Sequence, residues 1–311
     1  MATIYDIREP MARWSARFSL FGAALIIASL VLHRLGQIAT PTFLNLLGIA
    51  FLSATLGVAI GIYAFGSIWV RGRIGAWSVA IGLIFGVLVW LWPVALLSSY
   101  LTLPRINDLT TDTANPPQFA MLGKVRGPGS NRSTYPGAAY ATEQQRAYPD
   151  LRTILVDRSA EETFVIVVDS VRGRRGLGWK VLVEEPPTAK PVKAGIIEAT
   201  ERSTIVGFID DISIRVTGSD RESRVDVRSA SRFGRHDFGA NANRIRRFMR
   251  EFATRLEATA PGIAGRGTTP PRAARAGVVE EAPGNRSESP RRPIERKSET
   301  KDSKRGSTPA R

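Results

Sequence analysis

The chain has 311 residues, a formal net charge of +15 and no cysteine, which excludes disulfides, thiolate metal sites and cysteine nucleophiles. The basic excess is spread along the chain, at +5 for residues 1–105, +4 for 106–260 and +6 for 261–311. A domain that neutralises many phosphates concentrates its basic residues, so we expect no nucleic-acid partner.

Residues 1–105 form the first predicted unit, a membrane anchor. Three apolar stretches, at about 18–35, 43–70 and 74–100, are each long enough to cross about 30 Å of hydrocarbon as a helix. Apart from Arg34 at the end of the first stretch, they contain no Asp, Glu, Lys or Arg. Transporters and proton relays usually keep ionisable residues in the bilayer, so the pattern predicts three transmembrane helices that act as an anchor.

Basic residues flank the predicted spans unequally. Five precede the first span or lie in the second loop, whereas one lies in the first loop and one follows the third span; in that order they are Arg8, Arg13, Arg17, Arg71, Arg73, Arg34 and Arg105. The positive-inside rule then predicts a multi-pass bacterial inner-membrane protein with a cytoplasmic N-terminus and a periplasmic soluble domain. The alternative is an inverted topology with a cytoplasmic domain.

Two GxxxG motifs lie in the predicted spans, at Gly57 and Gly61 in the second and at Gly82 and Gly86 in the third. Small residues at this spacing let helices approach closely. The motifs favour packing of the second and third spans within one chain over dimerisation.

Residues 106–260 form the predicted soluble domain. Residues 107–150 are rich in turn-forming residues and predict an extended, loop-like approach to it. Ser159 and Glu162 have capping-box spacing and predict a helix through about Arg172. Four strands are predicted next, and an apolar stripe then predicts a last helix over about 241–259. The strands are Trp179–Glu185, Gly195–Arg202, Thr204–Val216 and Arg224–Ser231.

These elements indicate an α+β domain with a mainly antiparallel sheet, helices on one sheet face and a C-terminal helix. A hairpin closed by GSDRES would place Val216 opposite Val225 and Arg215 opposite Asp226. That register also predicts a salt bridge between Arg228 and Asp211.

The candidate binding cluster combines residues of the third and fourth predicted strands with residues of the turn that follows. Its members are polar residues in the segments 210–211 and 228–241, namely Asp210, Asp211, Arg228, Ser231, Arg232, His236, Asp237 and Asn241. A cross-strand charge ladder and an N-cap at Asp237 or Asn241 explain much of this polarity.

Two catalytic interpretations of the same segment are weaker. Ser229 or Ser231 with His236 and Asp210 or Asp237 would form a hydrolase triad, but no G-x-S-x-G turn surrounds either serine. A metal site from the aspartates and His236 has no ligand spacing, and GRRGLG at 173–178 lacks a phosphate-binding spacing. We assign no catalytic residue, cofactor or metal.

Three sequence segments resemble one bacterial family. They are YPDL at 148–151, GFIDDISIRV at 207–216 and RSASRFGRHDFGANANRI at 228–245. They are similar to the family catalogued as domain of unknown function 1499, and INDLTTDTANPPQF at 106–119 resembles the segment before the domain in membrane-anchored members. The resemblance implies a domain over about 106–255 in an envelope protein, and it supplies no catalytic residue.

Residues 261–311 are rich in Pro, Gly, Ser, Arg and Glu, which predicts a disordered basic tail. The whole pattern predicts a membrane protein that presents a binding or structural module to the cell envelope. Its expected partners are membrane lipids and an envelope protein or lipid-like ligand, bound on a concave sheet face under the last helix. An envelope enzyme that uses the polar cluster is the alternative.

Overall fold

The computed structural model describes residues 7–172, 176–189 and 192–259, so the predicted disordered tail at 261–311 lies outside the described residues. The N-terminal part contains α1 (Pro10–Arg34), α2 (Thr40–Arg71) and α3 (Ala76–Thr102). Each is long and apolar enough to cross a membrane. The prediction of three long apolar helices is confirmed.

Both GxxxG motifs lie against α1. A Cβ atom added at Gly57 would clash with Ser19, and one added at Gly82 would clash with Ser15. The Ser15 hydroxyl also donates to the carbonyl of Gly57 at 2.8 Å. Small residues on α2 and α3 therefore allow α1 to approach both helices closely within one chain.

The end of the bundle away from the soluble domain is closed by Glu9, the N-cap of α1. Its carboxylate accepts hydrogen bonds from Ser67 Oγ at 2.6 Å and from Arg73 at 2.7 Å. Its backbone N–H donates to the carbonyl of Ile74 at 2.9 Å. These contacts tie the start of α1 to the end of α2 and to the α2–α3 loop.

The strands of the domain that follows are β1 (Asp108–Thr110), β2 (Ile154–Val156), β3 (Lys180–Glu185), β4 (Thr188–Ala189), β5 (Val192–Lys193), β6 (Gly195–Arg202), β7 (Ile209–Gly218) and β8 (Ser223–Ser231). They form one antiparallel sheet in the order β1-β8-β7-β6-β3, with β2 also paired to β8, and a separate two-stranded sheet of β4 and β5. The helices are α4 (Ala138–Ala147), α5 (Ala160–Arg172) and α6 (Ala240–Ala258). The α+β prediction with a C-terminal helix is confirmed.

Helices α5 and α6 cover one face of the sheet, which we call the helix-covered face. Ser159 accepts the N–H of Glu162 at 3.2 Å at the start of α5, as the capping-box spacing predicts. Side chains from both helices and from alternate strand positions form the core, and they are fully buried; they include Val167, Phe248, Phe252, Ile212, Ile214, Val225 and Val227.

The opposite face is covered by the segment between β1 and α4, and we call it the loop-covered face. Residues 107–150 are therefore more than a loop-like approach, since they contain β1 and α4 and a segment that seals the sheet. Phe119 and Leu122 from this segment pack on Ala230 of β8. Five short elements, β1, β2, β4, β5 and α4, were not predicted because strands of two or three residues and an exposed ten-residue helix carry little periodicity.

The β7–β8 hairpin has the predicted register, with Val216 opposite Val225 and Arg215 opposite Asp226. Arg215 also forms a salt bridge with Asp226 at 2.9 Å. The predicted strand from Thr204 is wrong in its first part, because β7 begins at Ile209 and residues 203–208 form a turn. This turn contacts the helix bundle, and that contact overrides the β propensity of the sequence TIV.

Candidate functional site

The turn at residues 203–208 docks the domain onto the helix bundle. His33 at the end of α1 contacts the carbonyl of Val206 through Nδ1 at 2.8 Å, and its ring stacks on Phe43 with centroids 4.5 Å apart. Phe208 packs edge-on against both rings. His33 is 5 % exposed, so this histidine is a buried part of the contact between the bundle and the domain.

Two arginines strengthen the same contact with hydrogen bonds to backbone carbonyls. Arg34 donates to Ser203 O at 2.8 Å, and Arg202 donates to His33 O at 3.1 Å. Each is a charge-assisted hydrogen bond from a guanidinium to a carbonyl, and both lie at the start of the turn. The domain is therefore fixed to the bundle by side chains from α1, α2 and the β6–β7 turn.

A cavity of about 270 Å³ lies beside this contact, and we call it the seam cavity. Leu44 of α2 contributes one wall, and the rest of the wall comes from the domain. Its apolar residues are Leu44, Phe208, Ile209, Phe233, Phe238 and Ala240, and its polar residues include Asp210, Ser231, His236 and Asp237. Four of the eight predicted site residues therefore share one cavity.

His236 lies between the bundle and the domain. Its ring stacks on Tyr100 of α3, with centroids 5.4 Å apart, and packs against Phe238 at 4.6 Å. Nδ1 accepts the backbone N–H of Phe238 at 2.8 Å, so in the neutral ring the proton is on Nε2. Nε2 is buried and has no hydrogen-bond partner among the described residues.

Asp210 belongs to a buried network on the helix-covered face. Arg244 of α6 forms salt bridges with Asp210 and with Glu201, and it donates to Ser229 Oγ at 3.0 Å. Burial acts to lower the pKa of Arg244, but the two carboxylates outweigh it and raise the pKa above its usual value. This arginine was missed because its position in the sequence, within a run of basic residues, is typical of an exposed helix face.

Asp237 and Asn241 organise the start of α6. The predicted N-cap at Asp237 or Asn241 is wrong, because Gly239 is the N-cap residue. Asp237 instead lies two residues earlier and accepts the backbone N–H groups of Gly239 at 2.9 Å and Asn241 at 2.8 Å. Burial raises the pKa of Asp237, while these two N–H groups act in the opposite direction. The Asn241 amide donates to Ser231 Oγ at 3.0 Å, which joins the helix start to the end of β8.

The other three predicted residues, Asp211, Arg228 and Arg232, lie on the loop-covered face and outside the seam cavity. The predicted salt bridge between Arg228 and Asp211 is wrong. Arg228 instead binds Asp108 through two hydrogen bonds of 2.9 and 2.7 Å, and Asp211 pairs with Arg126 and Arg232. Asp108 and Arg126 lie outside the β7–β8 hairpin, so the register of that hairpin cannot predict their pairing with Arg228 and Asp211.

Arg228 is fully buried in this layer. It also donates to the carbonyls of Pro117 and Ser133, and the ring of Phe119 lies 4.4 Å from its guanidinium carbon. Glu198 on β6, beyond β7 from Arg228, accepts the backbone N–H groups of residues 120–122. These buried charges hold the covering segment on the sheet, so they explain structure rather than ligand binding.

The arrangement corrects both catalytic interpretations. Asp210 and Asp211 point to opposite faces of β7, so they cannot share one metal ion with His236. His236 Nδ1 accepts a backbone N–H and carries no proton, so it cannot donate the orienting hydrogen bond that a triad aspartate accepts. The expected concave face under α6 is also wrong as a binding site, because Ile245, Phe248 and Phe252 fill it.

One known protein family matches the soluble domain. The sequence model of the family described as protein of unknown function (DUF1499) matches residues 108–252. The soluble domain of this chain belongs to the DUF1499 family. The match runs from β1 into α6 and includes all eight predicted site residues, whereas Leu44 and Tyr100 of the bundle lie outside it. No curated protein and no solved structure matches the chain.

Within the DUF1499 domain, the sequence identified the polar segment but did not separate the residues that line the seam cavity from those on the loop-covered face. Alternation along β7 and β8 could assign each residue to a face. The wall supplied by the bundle could not be foreseen, since residues 44 and 236 are far apart in the chain and no pattern links them.

Proposed function

We propose that this protein is a multi-pass protein of the bacterial inner membrane whose periplasmic DUF1499 domain binds a lipid-like ligand in the seam cavity. The observation that carries the proposal is the position and lining of that cavity. It lies where the domain meets the apolar bundle, and it combines aromatic side chains with buried polar groups.

The lining favours an amphipathic ligand. Phe208, Phe233 and Phe238 offer apolar contacts, and binding sites typically pair such a surface with a few placed polar groups. Asp210 forms a salt bridge with Arg244, and Asp237 accepts backbone N–H groups, so both carboxylates already have partners. The buried Nε2 of His236 can donate to one oxygen of a ligand.

The location favours a ligand that arrives from the membrane. Leu44 belongs to the second turn of α2, at the end of the bundle that faces the domain. An apolar groove of about 410 Å³ between the three helices reaches the same turn of the domain, at Ile205 and Val206. A hydrocarbon chain can therefore follow the bundle up to the domain without crossing water.

Photolabelling tests the proposal on the full chain in lipid nanodiscs that contain a phospholipid with a diazirine on its acyl chain. We expect cross-links to residues 203–209 and 231–240, at the two edges of the seam cavity. Ala240→Phe would fill the cavity and is expected to reduce this labelling several-fold.

Ala253→Phe is the matched control, because Ala253 is exposed on the same helix and lies outside the cavity wall. Equal labelling of the domain in both variants and in the native chain would refute the proposal, as would labelling confined to α1, α2 and α3.

The proposed side of the membrane rests on the basic residues around the spans and has its own test. A C-terminal alkaline phosphatase fusion is expected to be active and a GFP fusion dark. A bright GFP fusion without phosphatase activity would show the inverted topology, and the ligand would then come from the cytoplasmic leaflet.

A further inference from the structure

A second cavity, of about 510 Å³, opens on the other side of the loop at residues 232–237. We call it the arginine cavity, because Arg105, Arg132 and Arg235 line it. The three side chains come from three segments that are distant in sequence, namely the end of the anchor, the covering segment and the turn after β8. Ser231 lies in the wall of both this cavity and the seam cavity.

The charge of the arginine cavity is not compensated by the domain. Among the residues that the structure describes, no carboxylate lies within salt-bridge distance of any of these three guanidiniums. Asp108 is the one carboxylate in the wall, and Arg228 already binds both of its oxygens. The site therefore presents three positive charges, whereas Arg126, Arg228 and Arg232 nearby are all paired.

The loops that carry two of these arginines are fixed to each other. The Asn131 amide donates to the carbonyls of Ser231 at 2.9 Å and Gly234 at 2.8 Å, and its backbone N–H donates to Arg232 O at 2.7 Å. Asn131 is adjacent to Arg132, and Gly234 is adjacent to Arg235. The backbone positions of the two arginines are thus set before any ligand binds, which reduces the ordering cost of binding.

The third arginine places the cavity at the end of the bundle. Arg105 follows the last residue of α3 by three positions, and its guanidinium carbon lies 5.0 Å from the ring centre of Tyr100. Tyr100 also stacks on His236, which lines the seam cavity. The same aromatic ring thus contacts one residue of each cavity.

We infer that the arginine cavity binds a phosphate group, supplied by the headgroup of an anionic phospholipid. Guanidinium groups match the oxygens of phosphate with paired N–H donors, which favours phosphate over a single carboxylate when three arginines converge. The inference rests on the proposed function, because it assigns the charged end of the amphipathic ligand whose apolar part occupies the seam cavity.

The test measures binding of two probes to the full chain and to the triple variant R105Q/R132Q/R235Q. The first probe is phosphatidylglycerol in phosphatidylcholine nanodiscs, followed by native mass spectrometry of retained lipid. The second is inorganic phosphate added to detergent-solubilised protein, followed by the shift in thermal unfolding. We expect the triple variant to bind phosphatidylglycerol at least about tenfold more weakly, because charge-assisted hydrogen bonds to phosphate are lost.

The matched control is R221Q/R224Q/R250Q, which removes the same charge at exposed positions outside the cavity. A loss of affinity equal to that of the triple variant would show a general surface effect and overturn the inference. R235Q alone, which leaves Arg105 and its ring contact in place, serves if the triple variant does not fold.

The outcomes separate the two proposals. Lipid retention that depends on the three arginines supports the phospholipid source, and stabilisation by inorganic phosphate without lipid retention supports a free phosphate. Binding of neither probe overturns the inference. Loss of acyl labelling in the seam cavity with intact phosphate binding instead refutes the proposed function alone.

Discussion

Replacement of Arg228 by Met tests whether the loop-covered face is held by buried charge. The substitution removes the partner of Asp108, which is 4 % exposed, and the donors to the carbonyls of Pro117 and Ser133. Breaking a buried pair by removing one partner costs about 3–5 kcal/mol, and each carbonyl left without a donor adds roughly 1 kcal/mol. We expect the free energy of unfolding of the domain to fall by about 5–7 kcal/mol.

Pulse proteolysis of the full chain in detergent, at increasing urea, measures this loss through the fraction of domain that remains uncut. Arg246→Met is the matched control, because Arg246 pairs with Asp150 at the surface, where the two side chains are 34 % and 49 % exposed. Exposed pairs contribute about 0.2–1 kcal/mol, so the control is expected to lose less than about 1 kcal/mol.

The double variant D108N/R228M sharpens the result. Since Asp108 and Arg228 act as a pair, its loss is expected to be well below the sum of the two single losses. A loss for Arg228→Met no larger than that of Arg246→Met, or strict additivity of the pair, would refute the structural role assigned to this layer.

Three further substitutions test the domain and the bundle. Glu198→Gln is expected to destabilise the domain by about 2–3 kcal/mol in the same urea assay, because one oxygen that accepts backbone N–H groups becomes a donor; an unchanged midpoint would contradict this. Burial acts to raise the pKa of Glu201, but the guanidiniums of Arg244 and Arg247 outweigh it and hold the pKa below 4.5. The stability that this pairing contributes is therefore present above pH 4.5 and is lost as the pH falls through the lower pKa of the folded state. The stability difference between the native chain and Glu201→Gln should therefore shrink during acid titration, and a constant difference would disprove the pairing. Gly82→Ala is expected to lower the free energy of unfolding of the bundle by about 1–3 kcal/mol, because the added Cβ meets the α1 backbone. Gly66→Ala is the control and should be neutral, because nothing lies within 4 Å of its added Cβ.

Elements with a strong period were predictable from the sequence, and elements held by distant partners were not. The spans, α5, α6 and the β7–β8 register follow from apolar periodicity, capping residues and turn formers. The segment between β1 and α4 has no such period, because its place in the fold is set by Glu198, Asp211 and Arg228 beneath it. Its composition looked like a linker, and buried ion pairs make it a layer of the domain.

The candidate site shows the same division. The sequence singled out a polar turn, and half of the predicted residues do line the seam cavity. The contribution of the bundle was missed, since no pattern in the sequence links His33 at the end of α1 to the domain. The role of His33 depends on Val206 and Phe208, which the sequence placed in a regular strand.

The short connection between anchor and domain limits where a ligand can be met. Five residues, 103–107, separate the end of α3 from the start of β1, and even fully extended they would span about 17 Å. Because the β6–β7 turn is also bound to α1, the domain has no flexible linker that would let it move through the surrounding space. Under the proposed function the domain would be a fixed receptor, and its ligand would have to travel to it along the plane of the bilayer or be delivered there by another protein.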